Sequence, residues 1–333
     1  MNKIHRILAW AAVGLACAAS TTAGAQTQSP ATAWPQRPVT IVVGFAPGST
    51  ADLVSRTVAT ALSQRTGGTF VVENKTGANG MLAAAAVARA KPDGFTLLIS
   101  TSSPLTVNPH LYSNLGYVPQ NDFSFVTPIV SVPLVVAVNP NQPLMKSVHT
   151  LKDLKRVAAS KPDGLSYGSA GNGNLTHLAA AQLSTSLGFQ SLHVPFRGSA
   201  PADVALLGGE VDYTVGPISN APLIKEGRLR ALAVTDSERW PDLPQVPSVT
   251  DVDMPEMGIV AWTAILAPAG TPADIVEALG AHIRAITADP KFRPALSAQG
   301  RIWTLSPQEF SARVADESRR YGDLVKRINV KVE

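Results

Sequence analysis

The residues from Val39 to Val54 read Val-Thr-Ile-Val-Val-Gly-Phe-Ala-Pro-Gly-Ser-Thr-Ala-Asp-Leu-Val. The segment Val39–Val43 is apolar or β-branched throughout, and this pattern predicts a buried strand. The segment Gly44–Gly48 contains two glycines and a proline, which end the extended conformation. We therefore predict a strand that turns sharply into a helix.

The start of that helix is a candidate anion site. Ser49 or Thr50 can cap the helix, and Asp52 falls in its first turn. The first turn has unpaired backbone N–H groups and a partial positive charge, so it can bind an anion without a cationic side chain. An ordinary strand-to-helix turn is the alternative for this stretch alone. The functional interpretation depends on whether the arrangement recurs along the chain.

The chain has 333 residues, of which 45% are hydrophobic and 16% are charged. This composition is typical of a globular protein, and the length favours two domains. The N-terminus is different, because a short basic region precedes the apolar run Ile7–Ala19, which is too short to span a bilayer. Ala23-Gly24-Ala25 then forms a small-x-small cleavage site. We predict that residues 1–25 are a secretory signal peptide, that residues 26–33 are a flexible lead-in, and that the mature protein is periplasmic.

Cys17, the only cysteine, lies inside the predicted signal peptide. Lipidation of Cys17 is the alternative, but Gly14 stands where a lipoprotein signal has leucine. The mature chain would then have no disulfide, no thiol nucleophile and no cysteine metal ligand. Its formal charge would be 26 basic against 24 acidic residues, or +2. This near-balance gives no basic footprint for nucleic acid.

Strand and helix patterns alternate along the chain, which predicts an α/β fold with parallel or mixed sheets. One cassette occurs twice: a helix, a Lys-Pro-Asp-Gly turn, a strand and a small polar loop. The two turns are Lys91–Gly94 and Lys161–Gly164, 70 positions apart. We interpret the cassettes as one unit in each of two α/β lobes. Coincidence is the alternative, since Pro-Asp-Gly is common turn chemistry.

Five loop tips follow predicted strands, where ligands bind in such sheets. They are rich in Gly, Ser, Thr and Asn, and Arg197 is their single charged residue. Neutral hydroxyls, amides and backbone N–H groups suit a small carboxylate without an ammonium group. The tips are Gly44–Ala51, Ser100–Thr106, Gly168–Asn174, Phe196–Pro201 and Thr214–Asn220. The predicted ligand contacts are Phe45, Pro47, Gly48, Ser49, Thr50, Thr101, Ser102, Ser103, Ser169, Gly171, Asn172, Gly173, Phe196, Arg197, Thr214 and Gly216.

Structural roles compete with these assignments. Phe45 and Phe196 are candidate apolar walls but also candidate core residues. Arg197 is either a fork for a carboxylate or a solvated surface residue. For His177, a packing or capping role is favoured over a catalytic one, because no second histidine or acid accompanies it at metal-ligand spacing. No catalytic motif, metal motif or nucleotide-binding loop is present, so we expect no cofactor and no metal. A secreted enzyme acting on a carboxylate remains the less favoured alternative, because triads assemble in space.

Six segments in order along the chain carry a known pattern: Pro47–Asp52, Val72–Gly80, Ala88–Leu98, Gly168–Gly173, His193–Gly198 and Arg230–Thr235. They resemble the Bug-type, or TctC-type, substrate-binding proteins of tripartite tricarboxylate transporters. Two departures occur: Gly44–Ser49 replaces the family's usual Pro-Phe-Pro-Ala-Gly-Gly, and Tyr213–Gly216 replaces a segment that often contains Phe-Asp. Both leave the identity of the ligand open.

The resemblance implies a two-lobed, periplasmic-binding-protein-like (type II) α/β fold with a hinge and an interdomain cleft. Residues 34–135 with 250–333 would form the first lobe, and residues 136–249 the second. A small organic acid would bind between the lobes, and the membrane partners would be a large and a small integral-membrane transporter component. We expect a monomer. A sensor that presents its ligand to a signalling receptor is the alternative use of the same fold.

Overall fold

The computed structural model describes residues 34–328 and 330. The predicted signal peptide, the lead-in 26–33 and Cys17 lie outside the described residues. The strands are β1 Val39–Val43, β2 Phe70–Asn74, β3 Thr96–Thr101, β4 Phe123–Val138, β5 Leu165–Ser169, β6 Ser191–Pro195, β7 Tyr213–Pro217, β8 Arg230–Val234, β9 Val260–Pro268 and β10 Arg301–Ile302. The helices are α1 Thr50–Thr66, α2 Met81–Ala88, α3 Ser103–Thr106, α4 Pro119–Asp122, α5 Leu151–Ala159, α6 Leu175–Leu187, α7 Ser199–Gly208, α8 Ala221–Lys225, α9 Ala273–Ala288, α10 Arg293–Ser297 and α11 Pro307–Ile328.

The strands form one continuous mixed sheet in the order β2-β1-β3-β9-β4-β7-β5-β6, with β8 and β10 also paired to β4. β1 pairs in parallel with β2 and β3, and β5 pairs in parallel with β6 and β7. β9 is antiparallel to β3 and to β4. The first lobe is built on β1–β3 and β9, and the second lobe on β5–β8. The expectation of mixed α/β sheets is confirmed.

β4 connects the two lobes. Its residues from Phe123 to Pro133 pair with β9, whereas its residues from Leu134 to Val138 pair with β7. Thr235 holds this crossing point: its N–H donates to Leu134 O at 2.8 Å. Its hydroxyl donates to Ile259 O at 2.6 Å and accepts the Leu134 N–H at 2.9 Å. Three chain segments that cross between the lobes are therefore bonded at one buried threonine.

Each lobe has a core, and alternate strand residues face opposite helical layers. In β1, Ile41 packs with α1 and α9, whereas Val42 faces the layer that contains Phe310 of α11. Further along α11, Leu324 packs in the core of the second lobe with Leu178 of α6. The C-terminal helix therefore packs on both lobes. Within the part of the chain that the structure describes, no helix is long and apolar enough to cross a bilayer.

Candidate functional site

All five predicted loop tips meet at one cleft between the lobes. The cleft encloses about 470 Å³, including solvent at its mouth. None of the described residues that line it is charged. It is lined by Phe45, Ser49, Thr50, Ala51, Thr101, Ser103, Val132, Leu134, Ala170, Asn174, Thr176, Ser199, Pro217, Ala261, Trp262 and Thr263.

The first tip is fixed by its own hydrogen bonds. Ser49 occupies the cap position of α1, but its hydroxyl donates to Ala46 O at 2.7 Å and does not cap the helix. Asp52 instead accepts the Gly48 N–H at 3.0 Å. Burial would raise the pKa of Asp52, but its bonds from Arg56, Asn74 and the Gly48 N–H outweigh burial and lower it. The first amides of α1 are therefore left facing the cleft without a capping side chain.

Two threonines that line the cleft have hydroxyls without a hydrogen-bond partner. Thr101 of β3 lies directly opposite Thr263 of β9 in the antiparallel register, so both side chains are on one face of the sheet. Both line the cleft, and neither hydroxyl has a hydrogen-bond partner among the described residues. Thr263 is only 1% exposed. A buried polar group without a partner is unfavourable, so these hydroxyls indicate a place for a ligand atom.

Direct hydrogen bonds join the two lobes around the cleft. Asn174 Nδ2 donates to Asn79 Oδ1 at 2.8 Å, and the Leu175 N–H donates to Ser103 Oγ at 3.0 Å. At the other side, the hydroxyls of Thr50 and Ser219 lie 3.1 Å apart. The two lobes are therefore bonded directly to each other on both sides of the cleft.

The loop Gly168–Asn174 rests on two stacked histidines. The rings of His177 and His193 have centroids 3.6 Å apart. His177 Nδ1 accepts the Gly173 N–H at 3.1 Å, and His193 Nε2 lies 2.6 Å from Ser169 Oγ. His177 is buried, as the packing or capping interpretation expected. Asn174 caps α6 by accepting the Thr176 N–H at 3.0 Å.

Arg197 lies in a second, adjoining cleft of about 640 Å³. Phe45 and Ala170 line both clefts and separate them. The Arg197 backbone oxygen accepts the Ala46 N–H at 3.4 Å, which is a further contact between the lobes. Gly171, Asn172 and Phe196, which sequence analysis also selected, line this second cleft.

The remaining predicted contacts line neither cleft. Pro47 and Gly48 are exposed. Ser102, Ser169 and Thr214 are buried. A Cβ added at Gly216 would lie 3.0 Å from Asn220 Nδ2 and 3.6 Å from Asp203 Oδ1, so this strand packs beside α7. Gly173 supplies the N–H that His177 accepts.

Several residues that line the main cleft are not among the predicted ligand contacts. The sequence signal for Thr263 is a lone hydroxyl in the apolar strand Val260–Pro268. Val132 and Leu134 lie on β4, which no sequence pattern predicted. Asn174 ends a predicted tip but is not among the predicted contacts. The lining residues that were missed are Ala51, Val132, Leu134, Ala170, Asn174, Thr176, Ser199, Pro217, Ala261, Trp262 and Thr263.

The cleft can bind an anion through neutral donors. Its free hydroxyls and helix-start amides donate hydrogen bonds, and no lining carboxylate would repel an acid. Among residues 34–328 and 330, no group of three or more His, Cys, Asp or Glu residues could hold a metal ion. The arrangement therefore favours reversible binding of a small acid.

A family model described as "Tripartite tricarboxylate transporter family receptor" (TctC) matches residues 54–330. BugT of Bordetella pertussis is 32% identical over 318 residues, which are 94% of this chain and 95% of that protein. Among solved structures, the periplasmic binding protein BugD is 32% identical with a TM-score of 0.83, covering 90% of this chain and 100% of that one.

Two further solved structures hold acids. Rpa4515 of R. palustris with adipate is 32% identical with a TM-score of 0.84, covering 90% of this chain and 99% of that one. MatC of Rhodopseudomonas palustris with bound malate is 32% identical with a TM-score of 0.80, covering 88% of this chain and 100% of that one. These matches confirm the family resemblance and the two-lobed fold that the motifs predicted. The chain belongs to the TctC family of tripartite tricarboxylate transporter receptors, and it is a Bug-type periplasmic solute-binding protein rather than an enzyme.

Proposed function

We propose that this protein captures a small organic carboxylate between its lobes in the periplasm and delivers it to a tripartite tricarboxylate-type membrane transporter. The observation that carries the proposal is the pair of unpartnered hydroxyls, Thr101 and Thr263, in an uncharged cleft between the lobes. The adipate and malate bound by two structural neighbours support the same ligand class.

The proposed contacts include the predicted residues that line the main cleft, namely Phe45, Ser49, Thr50, Thr101 and Ser103. We assign the lobes to residues 34–135 with 250–333 and to residues 136–249. The integral-membrane partners, the monomeric state and export through a cleaved signal peptide belong to the same proposal.

Isothermal titration calorimetry against mono-, di-, tri- and aromatic carboxylates tests ligand capture. We expect Thr263→Val to weaken binding of the acid roughly ten- to a hundredfold, because a hydrogen bond to a charged group contributes about 1.5–3 kcal/mol. Thr57→Val is the matched control, because Thr57 is half-buried on α1, does not line the cleft and donates its hydroxyl to Leu53 O. No binding by any acid, or equal effects of both variants, would contradict the proposal.

Uptake measurements distinguish transport from the alternative, in which the protein is a sensor that presents its ligand to a signalling receptor. A strain without this protein should lose uptake of the identified acid if the protein serves a transporter. Normal uptake with a lost transcriptional response would instead favour the sensor.

A further inference from the structure

The walls of the main cleft divide into a polar end and an apolar end. Thr263 stands at the polar end, opposite Thr101. Ala261 lies two residues before Thr263 and therefore on the same face of β9. Val132 lies directly opposite Ala261. The face that begins with two hydroxyls therefore continues with hydrocarbon.

The apolar end extends to the crossing point of the lobes. Leu134 follows Val132 on the same face of β4 and lies directly opposite Pro217 of β7. Leu134 is 1% exposed. Pro217 has no backbone N–H, so its main chain offers no donor there. Ala261, Val132, Leu134 and Pro217 thus form an apolar end that has no side-chain hydrogen-bond donor.

The free donors of the cleft are sufficient for one carboxylate. Thr101 and Thr263 each have an unpartnered hydroxyl. Ser103 accepts the Leu175 N–H, so its own hydroxyl proton is left to donate. Together with the first amides of α1, these groups can satisfy the roughly four acceptor positions of one carboxylate. The side-chain amide of Asn174 is not free for the ligand, because its Nδ2 donates to Asn79.

A second carboxylate would have no charged partner. Ala261, Val132, Leu134 and Pro217 offer it neither a cation nor a hydroxyl, and no described residue that lines the main cleft carries a positive charge. Arg197, the single charged residue of the five tips, lines the other cleft, beyond Phe45. Phe45 is 5% exposed, and its ring packs closely on Gly80, where an added Cβ would lie 3.3 Å from the ring's Cε2. An ionised group buried without a partner is strongly disfavoured.

We propose that the preferred ligand has a single carboxylate and an apolar body, such as a medium-chain alkanoate or an aromatic monocarboxylate. The carboxylate binds the Thr101–Thr263 end, and the body lies against Val132 and Leu134. This assignment rests on the function proposed above. It differs from the dicarboxylates held by the adipate- and malate-bound neighbours.

The test compares acids of equal length that differ in one carboxylate. The protein purified from the periplasm is titrated calorimetrically with hexanoate and adipate, and with 4-methylbenzoate and terephthalate. We expect each monoacid to bind at least about tenfold more tightly than its diacid. Tighter binding of both diacids would overturn the ligand class and leave carboxylate capture intact. Binding of neither class would overturn the proposed function as well.

Substitutions at the apolar end test the location of the body. Leu134→Arg should reverse the hexanoate-to-adipate preference, because it places a cation where the second carboxylate would lie. Val132→Thr adds one donor with little change of volume and should lower the preference several-fold. Val132→Thr therefore still tests where the apolar body lies if Leu134→Arg fails to fold. Val136→Thr is the control, because Val136 is buried on the same face of β4, does not line the cleft and lies opposite Val215 of β7. An unchanged preference in Val132→Thr would contradict the proposed placement.

Discussion

Gly44 ends β1 at the point where the first loop passes over Gly80. A Cβ added at Gly44 would lie 2.6 Å from Gly80 Cα, which is backbone and cannot rotate away. Gly44→Ala should therefore shift the first loop, reduce stability by about 1–3 kcal/mol and weaken ligand binding. Thermal unfolding and calorimetry measure both effects. Gly208→Ala is the control, because its nearest neighbour would be Glu210 Oε1 at 3.8 Å and alanine favours the helix.

The stacked histidines beneath the Gly168–Asn174 loop predict acid sensitivity. Burial lowers the pKa of His177 to about 3, with a further contribution from the nearby His193. Burial likewise lowers the pKa of His193 to about 4. An unfolded histidine has a pKa of about 6.5, so the unfolded chain binds more protons between roughly pH 6.5 and 4. The stability that these two neutral histidines contribute is therefore fully present above about pH 6.5, and it is lost as the pH falls through this window.

We expect the melting temperature to fall between pH 7 and pH 4.5, and to fall less in His193→Gln. His149→Gln is the matched control, since His149 is exposed. If His149→Gln flattens the pH profile as much as His193→Gln, the stacked pair is not the cause.

At Asp203 of α7, the change of stability with pH has the opposite sign. Burial raises its pKa to about 7, although Asn220 Nδ2 donates to its carboxylate at 2.8 Å and opposes the rise. A folded-state pKa above the unfolded value of about 3.9 means that stability is lost as the pH rises toward 7. Asp203→Asn should raise the melting temperature at pH 8 and change it little at pH 4. Asp242→Asn, at an exposed ion pair with Lys225, should do neither. An equal gain at both pH values would refute the assignment to Asp203.

At the scale of elements, α11 is anchored behind the cleft by a buried carboxylate. Glu317 is 1% exposed and accepts Trp262 Nε1–H at 2.6 Å and Arg313 Nε–H at 2.6 Å. Glu317→Ala leaves both donors without this partner, and we expect a loss of about 3 kcal/mol in urea unfolding. Asp316→Ala breaks only an exposed pair with Arg319, so its effect should stay within about 0.5 kcal/mol. Similar losses in the two variants would show that helix propensity dominates.

Sequence patterns located most elements but not the one that joins the lobes. The strand predicted over Val39–Val43 is observed with those bounds, and the helix predicted after Gly48 is observed as Thr50–Thr66. β4 was not assigned, although Phe123–Val138 is largely apolar and β-branched. Pro128 and Pro133 interrupt that pattern, because proline inside a run argues against a central strand. Here β4 changes partners near Pro133, where a missing N–H is tolerated.

At the scale of the whole molecule, hydrogen bonds between the lobes should determine the fraction of molecules in which the lobes are closed. Asn79 has a left-handed backbone with φ of 51°, which glycine tolerates. Asn79→Gly removes the acceptor of Asn174 Nδ2 while keeping that backbone. We expect about tenfold weaker ligand binding and faster hydrogen exchange of the Leu175 amide, which bonds Ser103 across the cleft.

Asp253→Gly is the control for that variant. Asp253 also has a positive φ, of 56°, but it lies away from the cleft. If the two variants change Leu175 exchange equally, the Asn79–Asn174 bond does not contribute to closure.

The sequence by itself determined the α/β class, the family and the loops that form the cleft. Hydrophobic periodicity, turn residues and caps are local properties, so they can be read from neighbouring residues, as at Val39–Val54. Only the tertiary structure decided which loop residues face the cleft and which lie elsewhere. Thr263 becomes a candidate contact because antiparallel pairing brings it opposite Thr101, whereas Arg197 lines the second cleft and not the main one. Such pairings join residues far apart in the chain, and no local pattern records them.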